Sequence, residues 1–410
     1  MSLYPFNLSK GSGPARPLFM SKFASLSVLF MAEVAGMSLW FVSSAILPDL
    51  LLDQDITELR QALLTSAVQA GFVAGALAAA FFGIADRYDP RKVFMISALV
   101  AGLFNLSLLF LEPGSNLTII ARFATGALMA GIYPVGMKIT VGWGLKDRGF
   151  LVGSLVAALT LGSALPHLFA YTGGADWQLT VILSSLAAIL GGFACLFTRL
   201  GPHHQKATGF DPNSIGIAWT NKKVRLAYAG YFGHMWELYG MWAWIGTAVA
   251  VSYAFHLPEP EAVSLAKITA FLAIAVGALA CVIAGLTADK IGKARVAAAA
   301  MVFSALSALG TAFTFSGPVW LTFTLVMIWG FTVIPDSAQF SALVADASPP
   351  DKVGSLMTLQ TALGFLLTFF VVQAIPVIAQ NVGWAPVLAA LAIGPIFGVL
   401  AMIKHGRLPS

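Results

Sequence analysis

The sequence predicts an all-α membrane protein: twelve transmembrane helices in two six-helix bundles related by a pseudo-twofold axis along the membrane normal. Three observations lead there. Of 410 residues, 58% are apolar and only 10% charged, with a mean hydropathy of +0.85, against about 25% charged residues in soluble domains. Apolar stretches of about 20 residues, enough to cross a hydrocarbon core of about 30 Å, recur along the whole chain. The chain also repeats itself at a fixed offset, the mark of a duplicated architecture.

In order, the expected helices are 23–51, 61–84, 93–111, 117–141, 150–171, 178–198, 226–254, 264–287, 294–314, 319–345, 353–378 and 384–403. The first exceeds the apolar core of a signal peptide, and no small-residue cleavage site precedes the next polar loop, so it is read as a retained helix. An even number of crossings puts both termini on one side. Lys and Arg collect in cytoplasmic loops, and with the N-terminus inside, 19 of the 23 basic residues fall there. The other face carries Arg60 and Lys267 with Asp53, Asp55, Glu58, Glu112, Asp176, Glu259 and Glu261. The net charge of +5 is therefore an orientation signal and does not point to nucleic acid. The expected organisation is a cytoplasmic segment 1–22, an N-terminal bundle 23–198, a cytoplasmic linker 199–225, a C-terminal bundle 226–403 and a cytoplasmic tail 404–410, in an inner (plasma) membrane.

The first and seventh helices carry the clearest repeat. Met31, Glu33, Gly36, Met37 and Trp40 return as Met235, Glu237, Gly240, Met241 and Trp244, all at an offset of 204. The same offset joins Leu117, Thr118 and Gly126 to Leu321, Thr322 and Gly330, and Asp147 to Asp351. Halves repeated in the same sense place a substrate site between them.

The loops repeat as well. Gly83-Ile-Ala-Asp86-Arg87-Tyr-Asp89-Pro90-Arg91-Lys92 follows the second helix, and Gly285-Leu-Thr-Ala-Asp289-Lys290-Ile-Gly292-Lys293 follows the eighth. Acidic and basic groups at a helix end can pair with a neighbouring helix end and its dipole, latching two bundles on one side. Topology charge explains Lys and Arg but not an Asp in both copies.

These loops resemble the signature loop of the major facilitator superfamily, Gly-x-Leu-Ala-Asp-Arg-x-Gly-Arg-Lys. The second copy fits at Gly285, Ala288, Asp289, Lys290, Gly292 and Lys293. The first departs, with its glycine one place late at Gly83 and Asp89-Pro90 before Arg91. Arg122-Phe-Ala-Thr-Gly126 is similar to the superfamily's Arg-x-x-x-Gly element. The resemblance implies a twelve-helix rocker-switch carrier whose first, fourth, seventh and tenth helices line a central cavity. The Gly-Pro pair that many drug antiporters of the superfamily carry in the fifth helix is absent; that helix reads Gly162-Ser-Ala-Leu-Pro166-His167.

Ionisable residues inside a span are costly and mark function by default. Glu33 lies in the first helix, Arg122 and Lys138 in the fourth, His234 and Glu237 in the seventh and Asp336 in the tenth, the helices that the resemblance predicts as cavity-lining; Lys138, about 160° around the helix from Arg122, is read as snorkelling and left off the site. Glu33 and Glu237, near the midplane and equivalent by repeat, are expected to face each other as proton carriers, with His234 one turn from Glu237 to share a proton and Asp336 as a further coupling group. Asp336 also follows Pro335, where a broken ladder gives it a structural rival role. At spacings of four and seven, Glu33, Met37 and Trp40 share a helix face, as do Glu237, Met241 and Trp244. With Tyr239, these form two half-sites for an amphipathic or cationic group, while the methionines taken alone are read as packing residues. Arg122 is read either as a substrate contact or as a fixed counter-ion. His167 is read as an interior histidine, and Lys267 as a residue snorkelling near a helix end.

The functional expectation is secondary active transport of a small organic solute, coupled to protons, by a protein working as a monomer in the bilayer. Uptake by symport and export by antiport, including a multidrug or metabolite efflux antiporter, both fit. No phosphate-cradling Gly-x-x-x-x-Gly-Lys-Ser/Thr run is present, so the energy is expected from a gradient, and no cofactor is expected. Cys195 and Cys281, inside the sixth and eighth expected helices and read as packing residues, and the linker pair His203-His204 lack metal-ligand spacing, so no metal site is expected. A membrane enzyme would need a converging catalytic constellation, and a receptor a soluble output domain. Neither pattern is found.

Overall fold

The structure, a computed structural model, describes residues 21–144, 148–174, 176–204, 215–349 and 352–408. Segment 1–20, Lys146, Lys206 and the repeat pair Asp147 and Asp351 lie outside the described residues, and of Asp86 only the backbone is described. The described chain is helical throughout. Its twelve spans are α1 Lys22–Leu52, α2 Glu58–Phe82, α3 Pro90–Phe110, α4 Asn116–Val141, α5 Gly149–Gly173, α6 Trp177–Cys195, α7 Lys222–Tyr253, α8 Glu259–Ile291, α9 Lys293–Phe313, α10 Val319–Ala347, α11 Val353–Val382 and α12 Trp384–Gly406.

Eleven of these are long and apolar enough to cross a membrane. α7 is long enough but less apolar, because Trp, Tyr and Gly residues together with His234 and Glu237 fill its middle. Its surroundings explain this, since 22 of its 32 residues are buried and a helix enclosed by protein needs little lipid-facing apolar surface. α7 also begins inside the expected linker, where Asn221 caps its N-terminus by accepting from the amides of Lys223 and Val224. A short helix, Ile215–Thr220, precedes it.

Three spans near the axis are interrupted. α4 breaks at 130–132, just before Tyr133-Pro134, and α10 at 333–336, around Pro335; a proline removes a ladder hydrogen bond and crowds the preceding turn. α1 breaks between Met37 and Val42 with no proline there. Its freed carbonyls are taken by a side chain described below. α7 runs unbroken.

Within each half, tight crossings bring the fourth helix of the repeat onto its second. A Cβ on Gly126 of α4 would stand 2.0 Å from the Val68 carbonyl oxygen of α2, and one on Gly330 of α10 would stand 1.9 Å from that of Ala273 in α8. The repeated glycine is a backbone-contact position in both halves. Between the halves, α2 lies against α11 and α5 against α8. The face carrying residues 83–90, 199–204 and 215–221 is called the linker face below.

Candidate functional site

The ionisable groups gather where the halves meet, in an arrangement that differs from the paired one expected. Glu33 is fully buried in α1, with its Oε2 against Gly136 of α4, where an added Cβ would come within 2.5 Å. Neither of its carboxylate oxygens has a hydrogen-bond partner among the described residues. Glu237 turns into its own half instead, where the Trp329 indole of α10 donates to its Oε1 at 2.8 Å. The two glutamates therefore pack against the fourth helix of their respective halves and do not form a facing pair.

His234 turns to Asp336 of α10 and not to Glu237. Its Nδ1 lies 2.8 Å from Oδ1 of Asp336, with both side chains buried, close enough for an ion pair but misaligned for a hydrogen bond. The break in α10 is what brings Asp336 there. As the residue preceding the second segment of α10, it makes no side-chain cap and is free to reach α7.

The two predicted half-sites also diverge. On α1 the break at 38–41 interrupts the helical register, and Trp40 points across the axis. Its ring lies 5.0 Å from Phe72 of α2, 5.7 Å from Tyr239 of α7 and 5.4 Å from Phe365 of α11. Phe72 and Phe365 themselves approach to 4.6 Å, and Phe41 with Trp242 extends the group. On unbroken α7, Trp244 remains in its own half, donating to the Val372 carbonyl of α11 at 3.0 Å and lying beside Trp384. Met37 packs against Gly162 of α5, and Met241 is fully buried in the core. Of the six residues read as substrate-facing, Trp40 and Tyr239 meet between the halves, while Met37 and Trp244 serve packing. The indole nitrogens of Trp40 and Trp242, both within this aromatic group, have no partner among the described residues.

Arg122 answers the question left by the break in α1. Its guanidinium is fully buried and donates to the carbonyls of Leu39 and Trp40 at 3.0 and 2.9 Å and to Asn105 Oδ1 at 2.8 Å. Asn105 in turn donates to Ser185 of α6. The bonded partners of Arg122 among the described residues are backbone and amide oxygens and none is an acid, so its geometry is that of a clamp on the broken helix.

At the linker face the signature loops stay largely within their own halves. Gly83 ends α2 in the left-handed region at φ 60°. Asp89, which stands out of pattern, caps α3 and pairs with Arg91 at 2.6 Å, while Arg91 also donates to the Thr198 carbonyl at the end of α6. The Arg91 guanidinium holds the Asp89 carboxyl below its ordinary value. In the second copy, Gly292 ends α8 at φ 95° and Lys293 pairs with Asp346 of α10 at 2.5 Å. Asp289 is the group that looks across, its carboxylate about a van der Waals contact from where a Cβ on Gly149, in the first turn of α5, would stand.

One pair escaped the sequence reading. Lys267 of α8 does not snorkel. It is buried and bonds Asp49 of α1 through both carboxylate oxygens, at 2.7 and 2.8 Å, and the Gly174 carbonyl at 2.6 Å. The available signal was an acid following Pro48 near the end of the first apolar run, at the same membrane face as Lys267.

The family model for the Major Facilitator Superfamily matches residues 28–372. The chain belongs to that superfamily. Among curated relatives of this major facilitator chain is a gallate transporter of Pseudomonas putida, 31% identical over 201 residues, which are 45% of this chain and 43% of the relative. Another, an uncharacterised MFS-type transporter of Bacillus subtilis (strain 168), is 27% identical over 158 residues, 38% of each chain. The alignments thus span about two fifths of each relative's length. Among solved structures, a bacterial homologue of the lysosomal transporter Spinster, inward-facing and occupied, superposes with a TM-score of 0.70 at 12% identity, covering 96% of this chain and 98% of that one. A D-xylose–proton symporter gives 0.71 at 15% identity over 95% and 98%. At such identities these two likenesses concern the fold, which this major facilitator chain shares over nearly its full length.

Proposed function

We propose that the protein is a proton-coupled secondary transporter of a small aromatic solute in the inner membrane, with its linker face and both termini cytoplasmic. The orientation rests on the basic loops of that face. The observation that carries the coupling is Glu33, a fully buried carboxylate with two unpartnered oxygens. An ionised carboxylate so placed is costly in a low-dielectric interior, so gain or loss of its proton changes the relative stability of conformations that bury or hydrate it.

The solute class is supported by the rings. Trp40 and Phe72 from one half and Tyr239 and Phe365 from the other converge within 4.6 to 5.7 Å, a surface suited to a planar ring. The indole nitrogens of Trp40 and Trp242, unpartnered among the described residues, suit ring hydroxyls. The partial similarity to a transporter named for gallate points the same way. An aromatic acid travelling with a proton would enter this site without stranding a charge.

The test is uptake of hydroxybenzoates into liposomes carrying the purified protein. Acidifying the side from which solute enters should drive accumulation above equilibrium. Glu33→Gln should abolish accumulation by the gradient while leaving solute exchange across equal pH. Accumulation that ignores the pH gradient, or that persists in Glu33→Gln, would remove the proton-carrier role.

A further inference from the structure

We propose that Asp49 and Lys267 form a latch that closes the protein on the face opposite the linker, and that parting of this pair is what opens that face. The pair joins the two halves: Asp49 lies near the end of α1, and Lys267 lies in the first third of α8. Lys267 has a second hold on the N-terminal half through the Gly174 carbonyl, where α5 ends and its dipole is negative. One ammonium thus ties α8 to both α1 and α5.

Burial distinguishes this contact from the others at the same face. The Asp49 and Lys267 side chains are 3% and 6% exposed, whereas the Gln380–Glu58 bond between α11 and α2 is exposed. A buried ion pair gains about as much from mutual attraction as it loses in hydration. Both partners therefore part readily when the opening supplies water to each, whereas losing one partner strands the other without water. That balance suits a reversible closure more than a permanent glue.

A cavity of about 10 Å³, near the minimum that holds one water, adjoins the pair and is lined by Ser44, Ala45, Pro48, His167, Gly246 and Lys267. Ser44 Oγ and His167 Nε2 are buried there without a partner among the described residues. Such atoms favour hydration, so the closed state holds polar groups that opening would satisfy, and the ion pair opposes them. The rings of Trp40 and Phe41 precede Asp49 along α1, and those of Tyr239 and Trp242 lie nearer the middle of α7 than Gly246, which lines the cavity beside Lys267. The pair therefore stands between the ring cluster and the face.

The test needs neither solute nor proton gradient, so it is separate from the transport reading above. Ala45→Cys, in a chain with Cys195 and Cys281 replaced by Ala, reports access behind the latch to a membrane-impermeant maleimide. The rate is measured in intact cells and in inverted vesicles, so that the reacting face is read directly. Lys267→Met and Asp49→Asn should each raise the labelling rate from the face opposite the linker by about tenfold or more. Lys267→Arg, which keeps a charge able to bond Asp49, should not. If Lys267→Met fails to fold, Asp49→Asn, which keeps shape and an acceptor, carries the same reading. Equal labelling rates in folded Asp49→Asn and parent, or faster labelling from the linker face instead, would overturn the latch.

Discussion

Arg122 shows how much one side chain can fix. A helix that breaks without proline leaves carbonyls that must be satisfied in an interior with no bulk water. Three charge-assisted bonds from one guanidinium, two of them to consecutive carbonyls of α1, do so. Arg122→Met removes all three and leaves the Leu39 and Trp40 carbonyls buried and unpaired, so stability should fall by roughly 2–4 kcal/mol. A lowered unfolding temperature of the detergent-purified protein is the measurement, and an unchanged temperature would mean that the break persists by packing alone. Arg122→Lys should recover only part of the loss, because an ammonium cannot fork to the same set. Because the clamp positions Trp40, both variants should also weaken aromatic solute binding.

The helices carry their own tests. The repeated glycine of α4 and α10 stands where backbones nearly touch, with a Cβ landing 2.0 Å or less from a carbonyl oxygen. Backbone cannot move aside as a side-chain tip can. Gly126→Ala and Gly330→Ala should each push a crossing apart at a cost of about 1–3 kcal/mol, seen as lower thermal stability and lower yield of folded protein. Equal stability in either variant would show that its crossing relaxes. At the start of α3, Asp89 caps the helix and pairs with Arg91. Its folded carboxyl lies below the ordinary value of 3.8, so its contribution is present above that pH and lost as pH falls through the lower folded value. Amide exchange in the first turn of α3 should therefore quicken on strong acidification, and in Asp89→Asn that acid step should vanish.

For the whole molecule, the halves meet through α2 against α11, α5 against α8, the ring cluster and the Asp49–Lys267 pair. An interface of that extent should outlast the covalent connection. A protease site placed between His204 and Ile215 should give two fragments that copurify after cleavage in mild detergent. In Lys267→Met the same fragments should separate more readily on raising the detergent concentration. Fragments that separate at once in the parent would mean that the linker holds the halves together.

The sequence by itself determined the number and order of the spans, the duplication and the superfamily, because length, apolarity and a fixed repeat offset are properties of the chain read along one dimension. It also named the ionisable residues near the axis, since a charge in an apolar run is conspicuous. What the tertiary structure alone decided was who meets whom. Glu33 and Glu237 are equivalents in sequence, but one has no hydrogen-bond partner among the described residues and the other is bonded to Trp329. Trp40 and Trp244 are likewise equivalents, but a break in α1 sends one to the axis while the intact α7 keeps the other in its own half. Asp49 and Lys267 stand 218 residues apart in unrelated local contexts. A repeat fixes backbone paths in both halves alike, whereas side-chain direction depends on local breaks and on neighbours contributed by distant segments, and neither is written in the spacing of residues along the chain.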